Sequence, residues 1–540
     1  MNTNDPIIQA LTARGSPFEL VERGGTQHFA NAPRSLDQLI EGAKRHGEKT
    51  FLIEGERRLT FDDSFALRDA LASELSIEPG ERVAICMRNR IEWIIAFMAV
   101  TRAGGVPVLV NSRSSASELV RAINDIECEL VLADNQRAEF LRDGSFRGRI
   151  IDADDFPAKG AAFEPPSPPS PDDPAAILFT SGTSGTVKGA VLSHTNIASG
   201  IMTMQMAGLM VLHNMAKRFG VPVEQLLAGI GQQAVLLVYP LFHISGLGSA
   251  FLSPLVAGSK IVILPRWDAA EAARAIAAEK VTMFSAVPTM LRDILKYAEV
   301  AETDLSSLRN IGTGGQALPI NLLDQIRQVC PDAVLGTGYG LTETAGSVSM
   351  AVGEDFLRKR SAAGRVMPNV EMRITAPDGR ELPDGEAGEI VVRGPQVASR
   401  YWDGTRAIDE DGWFRTGDIG YLDEERYLFV VDRLKDMVIS GGENIYCAEV
   451  ERVLSEMSGI SECATFGIAD ERMGEALVAV VKAPDLDERA IIQHVETRLA
   501  RYKVPTRVAF IDAPLPRNDL DKVDKIRLRE MWPQLAEKNP

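Results

Sequence analysis

The stretch Leu178-Phe179-Thr180-Ser181-Gly182-Thr183-Ser184-Gly185-Thr186-Val187-Lys188-Gly189 carries the strongest chemical signal in the chain. From Thr180 it places three glycines and five Thr or Ser in ten positions, and it closes on Lys188-Gly189. Small residues let backbone N–H groups approach phosphate oxygens, hydroxyls add donors, and a lysine adds charge. It is not a Walker A loop, which needs Gly-Lys-Ser/Thr, because Lys188 stands between Val187 and Gly189. A flexible solvated loop has the same composition, so composition alone leaves the two readings level.

Other clusters have weaker chemistry of their own. Gly312-Thr313-Gly314-Gly315-Gln316-Ala317 fits G-x-G-x-x-A, with Asp332 downstream where a dinucleotide fold wants its ribose carboxylate. Asp332 precedes the next expected strand instead of ending it, which weakens an NAD-dependent oxidoreductase reading. Tyr239-Pro240-Leu241-Phe242-His243-Ile244-Ser245-Gly246 sets a histidine beside a glycine turn. Gly338-Tyr339-Gly340-Leu341-Thr342-Glu343-Thr344 sets an aromatic ring, a hydroxyl and a carboxylate on a loop after a strand. Asp411-Gly412-Trp413-Phe414-Arg415-Thr416-Gly417-Asp418 offers a carboxylate able to chelate a ribose diol. Leu515-Pro516-Arg517-Asn518, followed by Lys522, is a basic loop near the end of the chain. Taken singly, these are also what a packed histidine, two turns and a solvated loop look like.

These residues must be held by a scaffold, and the hydrophobic pattern says which kind. Short apolar runs at 83–86, 106–110, 130–133, 177–179, 235–238, 260–264, 281–286 and 333–336 alternate with amphipathic stretches such as 91–103, 117–126, 269–278 and 321–330. Strand–helix alternation implies parallel sheets covered on both faces. Beyond about residue 366, turn signals separate short strands, which suggests antiparallel structure with a β-barrel-like form. After Asp432-Arg433-Leu434-Lys435 the chain returns to a compact β/α alternation, with helices at 449–457 and 489–499 and strands at 475–482 and 507–511. The fold class is therefore α/β. Its large N-terminal domain, 1–432, holds the doubly covered sheets and the small β part, and a smaller α+β domain occupies 433–540. The Pro-rich stretch 165–171 reads as a surface loop inside the first domain rather than a linker.

The chain has 540 residues, 45% hydrophobic and 25% charged, with a net charge of −17. Such an acidic chain has no broad basic face for duplex nucleic acid. Five scattered cysteines suggest free thiols in a reducing cytoplasm. No signal peptide is evident at the start. The uncharged stretch 225–259 is long enough to span a bilayer, but Pro240, Pro254, several glycines and His243 argue against it. It reads instead as a buried strand at 234–238, a turn at 239–248 and a helix at 249–256, so no transmembrane span is expected. A homodimer is left open.

Together and in this order, the clusters resemble the AMP-forming acyl-CoA synthetases of the adenylate-forming superfamily, over roughly residues 59–529. The resemblance implies ATP, Mg²⁺ and coenzyme A as cofactors and a small carboxylic acid as substrate. By it, Thr180, Ser181, Gly182, Thr183, Ser184, Gly185 and Lys188 grip the ATP phosphates. Gly314, Gly315, Gln316, Gly338, Tyr339 and Gly340 frame the adenine, with Tyr339 stacking on it. Thr342 touches the α-phosphate, and Glu343 with Thr180 holds the metal. Asp418 and Arg433 bind the ribose, Lys435 is the hinge within 433–436, and Lys522 is the lysine that promotes adenylation. Gly441 and Gly442 flank the pantetheine path.

By the same resemblance, His243 shapes the mouth of an acyl pocket bounded also by 286–288, Gly314 and Gly338. A medium- or long-chain fatty acid is the first expectation for its occupant, and an aryl, arylpropenoic or steroid-type acid the alternative. The stretch 202–231 could cap that pocket or decorate the surface. Four positions depart from the family pattern: Val187 and Cys447 replace prolines, Arg426 replaces a turn glycine, and Asp521 replaces the glycine before Lys522.

Overall fold

The computed structural model describes residues 5–159, 163–180, 188–314, 320–440, 443–518 and 522–538. The chain forms two compact units. The first takes Met1–Met372, Val392–Arg415 and Glu425–Leu428, and the second takes Arg373–Val391, Thr416–Glu424 and Phe429–Pro540. The expected single division at 432/433 is drawn differently here: two short segments, 373–391 and 416–424, belong with the C-terminal residues. They carry parts of the strands Glu371–Thr375, Gly388–Arg393 and Phe414–Leu422, which are hydrogen-bonded neighbours in one sheet.

The first unit is built on parallel sheets, as the alternation implies. One has seven strands in the order Arg400–Tyr401, Lys188–Ser193, Pro174–Thr180, Val106–Leu109, Arg82–Cys86, Leu130–Ala133 and Arg149–Asp152. Its central members are parallel, and Val106–Leu109 and Leu130–Ala133 are buried at every position. A larger sheet contains the parallel run Val334–Leu341, Asn310–Gly314, Met283–Ala286, Ala234–Leu237, Lys260–Ile263 and Thr50–Glu54, flanked by the antiparallel strands Gly346–Val352 and Arg57–Thr60. The helix Ile91–Arg102 is apolar nearly all round and buried over ten of its twelve residues, as a helix in a core must be. Its Trp93 stacks on Phe97, and both rings meet Phe251 edge-on. The Pro-rich 165–171 stretch lies between Ala153–Asp155 and the strand Pro174–Thr180, inside this unit.

In the second unit, Glu443–Ile445, Val438–Ser440, Gly474–Lys482 and Glu462–Asp470 form a sheet, with Arg507–Phe510 parallel to Gly474–Lys482. Helices Cys447–Ser455, Glu488–Glu496 and Lys525–Lys538 flank it. The expected elements after residue 433 are all present, with ends displaced by at most three residues.

Two expectations are corrected. The strand foreseen at 333–336 continues to Leu341, so Gly338, Tyr339 and Gly340 are strand residues rather than loop. The glycines explain why a strand fits: a Cβ on Gly340 would lie 2.0 Å from the Gly346 carbonyl oxygen of the antiparallel neighbour. The turn foreseen over 239–248 also ends early. A π-helix, Ser245–Leu252, follows it and passes into Ser253–Ala257. Gly246 permits that entry, since a Cβ there would meet the Pro240 oxygen at 2.1 Å. π-Turns are rare and gather at functional sites.

The stretch 202–231 consists mainly of the helix His194–Phe219 and the shorter Val223–Gly229. The first is 26 residues long and apolar enough to cross a membrane, but most of its apolar window is buried inside the protein. Its own N-terminus is tied down by His194, whose Nδ1 accepts from the Leu36 amide at 3.0 Å. Burial pushes this imidazole down to about 4. The unfolded chain binds that proton near the ordinary value of 6.5. Stability is therefore full above pH 6.5 and falls as the pH drops toward 4, by roughly 3 kcal/mol in all. Denaturant unfolding across this range should show that loss, and His194→Asn, which retains an acceptor, should flatten the curve.

Candidate active site

The first unit holds the residues expected on the phosphate side. Thr180 ends one strand and Lys188 opens its antiparallel partner, directly opposite in register. Thr180 Oγ1 donates to the Lys188 carbonyl at 3.3 Å, which closes the base of the loop. Ser181, Gly182, Thr183, Ser184 and Gly185 lie outside the described residues.

The single 3₁₀ turn Thr342–Thr344 packs against both of these strands. Glu343 is only 9% exposed. Its Oε1 accepts from the Tyr401 hydroxyl at 3.0 Å, and its carbonyl accepts from the Ala398 amide at 2.7 Å. Lys188 Nζ stands 5.0 Å from the centroid of the same Tyr401 ring, a cation–π arrangement. Tyr401 reaches both because Arg400–Tyr401 pairs with Lys188–Ser193. Burial and the facing Glu343 carboxylate push the phenol up, so its proton stays on and is donated.

Polar side chains that the motifs do not include hold this loop. Gln396, fully buried, donates to the carbonyls of Thr344 and Ser347 at 3.0 Å each. The Thr344 hydroxyl accepts from the Leu341 amide and donates to the Gly346 carbonyl. Ala345 takes a left-handed φ of 47° despite its Cβ, and Gly346 follows at 122°. The helix His194–Phe219 comes so close that a Cβ on Gly200 would lie 2.2 Å from the Ala345 oxygen.

His243 stands half-buried at the start of the π-helical segment, its ring 5.5 Å from that of Phe242. Asn89 pins the turn before it, donating to the Tyr239 carbonyl and accepting from the Leu241 amide. Gly314 ends its strand, and among the described residues no atom lies within 4 Å of where its Cβ would be. Gly315 and Gln316 lie outside the described residues. Asp332 is exposed and pairs with Arg309 at 3.7 Å, which leaves the dinucleotide reading without its ribose carboxylate.

The second unit holds the residues expected on the ribose side. Asp418, 5% exposed on the strand Phe414–Leu422, pairs through Oδ1 with Arg433 Nε at 3.3 Å. Lys522 lies close enough to feel both charges and that of Lys435. Burial, seconded by Arg433 and Lys435 against Asp418, lowers its ammonium from the ordinary lysine range. The Arg517–Val523 bridge and the Asn518 amide, which donates to the Lys522 carbonyl at 2.8 Å, hold its backbone. Lys435 is exposed in the turn that follows Arg433. Gly441, Gly442 and Asp521 lie outside the described residues.

Under that turn sits a buried polar cluster the motifs did not announce. Asp432 accepts from the amides of Arg433 and Ala448, and burial pushes its carboxyl up to about 6. Lys525 Nζ pairs with Glu451 at 2.8 Å nearby. Of the departures from the family pattern, Arg426 does take the left-handed backbone of a turn glycine, at φ 64°, and Cys447 donates its thiol to the Asp436 carbonyl as it opens a helix.

Among the described residues, no cluster of three or more His, Cys, Asp and Glu could cage a metal. One buried carboxylate, Glu343, with a threonine hydroxyl at the phosphate loop is a hard-oxygen set that suits Mg²⁺. That ion usually takes few protein ligands and completes its shell from phosphates and water.

The chain belongs to the AMP-binding enzyme family, whose model matches residues 17–402, with the AMP-binding enzyme C-terminal domain over 449–522. It is an AMP-forming acyl-CoA synthetase, an acid–thiol ligase that uses ATP, Mg²⁺ and CoA. A long-chain-fatty-acid–CoA ligase of Mycobacterium tuberculosis is 34% identical over 494 residues, 88% of this chain and 93% of that one. A feruloyl-CoA synthase of an Amycolatopsis species is 33% identical over 91% of this chain and 98% of its own. The structure of O-succinylbenzoate coenzyme A synthetase from Bacillus subtilis, in complex with ATP and magnesium ion, superposes with a TM-score of 0.76. It is 30% identical and covers 92% of this chain and 98% of that one.

Proposed function

We propose that this synthetase activates a medium- or long-chain fatty acid in the cytoplasm, through the residues assigned above. The observation that carries the acyl reading is the apolar wall after His243. Phe242, Ile244 and Leu247 are buried there, and the π-helix brings Gly248 against Met204 of the long helix. A Cβ on Gly248 would lie 3.0 Å from the Met204 Cε, and one on Gly346 2.5 Å from it. A flexible thioether wedged between two bare backbones is an adaptable floor for a methylene chain. The Mycobacterium tuberculosis relative is named for long-chain fatty acids, which supports the same choice. The clearance at Gly314 among the described residues favours, as second reading, a flat or ring-bearing acid. Five free cysteines suit a reducing compartment.

In the first half-reaction a carboxylate oxygen attacks the α-phosphorus of ATP, giving an acyl-adenylate and pyrophosphate. In the second the CoA thiol displaces AMP, a far better leaving group than oxide. The protein's work is positioning and charge neutralisation. Lys188 screens the departing pyrophosphate, Thr342 meets the α-phosphate, Asp418 and Arg433 hold the ribose, and Lys522 pairs with charge building on the reacting oxygens. Glu343 and Thr180 would hold Mg²⁺, which when bound would supply Lewis-acid neutralisation of the phosphates. The second half-reaction needs Lys522 withdrawn and a thiol admitted past Gly441 and Gly442. Turning of residues 433–540 about Lys435 provides both.

Release of AMP and pyrophosphate with CoA, measured over saturated, aryl and steroid-type acids, tests the substrate. Along the saturated series kcat/KM should rise about fourfold per methylene, from ~0.8 kcal/mol each, until the chain meets the floor. Turnover confined to ring acids would overturn the fatty-acid reading. Met204→Ala should shift the plateau to chains longer by about one or two methylenes. An unmoved plateau would remove Met204 from the pocket.

A further inference from the structure

We propose that Tyr401 is a positioning residue that sets the metal-binding carboxylate and the phosphate lysine in one geometry, its hydroxyl orienting Glu343 and its ring face orienting Lys188. The proposal rests on the reading of Glu343 as metal holder and Lys188 as phosphate ligand. It is carried by three observations within the first unit.

The Tyr401 hydroxyl lies 3.0 Å from Glu343 Oε1, so the carboxylate is held by a donor at one oxygen. Lys188 Nζ sits over the same ring at 5.0 Å. The segment carrying Tyr401 is itself clamped to both partners. The Ala398 amide binds the Glu343 carbonyl at 2.7 Å, the Trp402 amide binds the Gly189 carbonyl at 2.8 Å, and Tyr401 pairs with Ala190. Trp402 Nε1 donates to the Asp125 carbonyl, and Arg82 covers its indole, which fixes the far side of the strand.

One rigid phenol thus touches two charged groups of opposite sign that must address the same triphosphate. A carboxylate and an ammonium free to approach would pair and satisfy each other. With the ring beneath the lysine and the hydroxyl on the carboxylate, one side chain fixes the position of both groups before ligand arrives, which is preorganisation of the kind that makes electrostatic sites effective.

The two contacts separate by substitution. Tyr401→Phe retains the ring and removes the hydroxyl, and Tyr401→Leu removes both. Binding of a nonhydrolysable ATP analogue is measured by calorimetry, without Mg²⁺ and over a Mg²⁺ titration, for these variants and for Glu343→Gln. Tyr401→Phe should leave metal-free affinity within about twofold and raise the half-saturating Mg²⁺ concentration about tenfold, as losing a hydrogen bond to a charged group does. Tyr401→Leu should in addition weaken metal-free binding about threefold, the scale of a lost cation–π contact.

A Mg²⁺ response in Tyr401→Phe equal to wild type, alongside a shifted response in Glu343→Gln, overturns the proposal and leaves the Glu343 reading intact. An unshifted response in Glu343→Gln overturns that reading itself. Equal loss of metal-free and metal-dependent binding in Tyr401→Phe means general damage and also overturns the proposal. Should the leucine variant fail to fold, the phenylalanine variant, which conserves volume, decides alone.

Discussion

Lys522→Ala is expected to lower acyl-adenylate formation by roughly 100- to 1,000-fold, the scale of losing one oriented charge-stabilising group. Thioester formation from supplied acyl-adenylate should be nearly unchanged. The split follows from where charge builds. In the first half-reaction negative charge grows on the oxygens around the α-phosphorus, and an ammonium helps. In the second a neutral or anionic thiol must enter, and a cation fixed at the reacting centre gives no equivalent gain. Lys522 lies in a basic neighbourhood, with Arg433 and Lys435 opposing its charge and Asp418 supporting it. Its lowered ammonium adds a second signature. The adenylation rate should fall on the alkaline side at a pH below the ordinary lysine range, and the thioester half-reaction should lack that limb. Pyrophosphate exchange for the first step and thioester formation from synthetic acyl-adenylate for the second give the two rates. Equal loss in both would count against the assignment.

Gly200→Ala is expected to reduce adenylation about 100-fold, the penalty of displacing reacting groups by roughly 1 Å. Two effects oppose each other here. In a helix interior alanine is ordinarily better than glycine by up to ~1 kcal/mol. Against that, the new Cβ would stand 2.2 Å from the Ala345 carbonyl oxygen, and the obstacle is backbone rather than the end of a side chain. The loop cannot step aside cheaply. Gln396 holds its carbonyls on both sides, Ala398 holds Glu343, and Ala345 already occupies a left-handed conformation. The steric term therefore wins, and the strain falls on the turn carrying Thr342 and Glu343. Gly208 of the same helix supplies the control, because a Cβ there meets nothing within 4 Å. Gly208→Ala should stabilise slightly and leave the rates alone. Full activity in Gly200→Ala, with an unchanged melting midpoint, would show that the loop tolerates the shift.

Much of the fold could be read before any coordinates, and the residues of the candidate site could be singled out. Apolar runs such as 106–110 and 130–133 became all-buried parallel strands because a sheet covered on both faces leaves no polar alternation to misread. Thr180, Lys188, Glu343, Asp418 and Lys522 stood out as candidates because their chemistry is local, small residues, hydroxyls and charges at fixed short spacings, and the structure brings Lys188 and Glu343 together at Tyr401 and sets Lys522 near the Asp418–Arg433 pair. Gly338–Gly340 were misplaced into a loop because glycine reports only that a Cβ is forbidden. Whether a turn or a neighbouring strand forbids it is a tertiary fact, and here it is the strand Gly346–Val352. The π-helix after His243 was hidden for a similar reason, since its extra residue per turn leaves no signature in hydrophobic periodicity.

The chain by itself thus determined the covalent order of chemical groups and the alternation that makes layered parallel sheets. Both follow from short-range spacing and from which side chains avoid water. The tertiary structure alone decided that Tyr401 would lie between Lys188 and Glu343, that Gln396 would brace the loop after Thr342, and that Gly200 would press against Ala345. Those contacts join residues distant along the chain, and their energies exist only once strand pairing and helix packing have closed the distance.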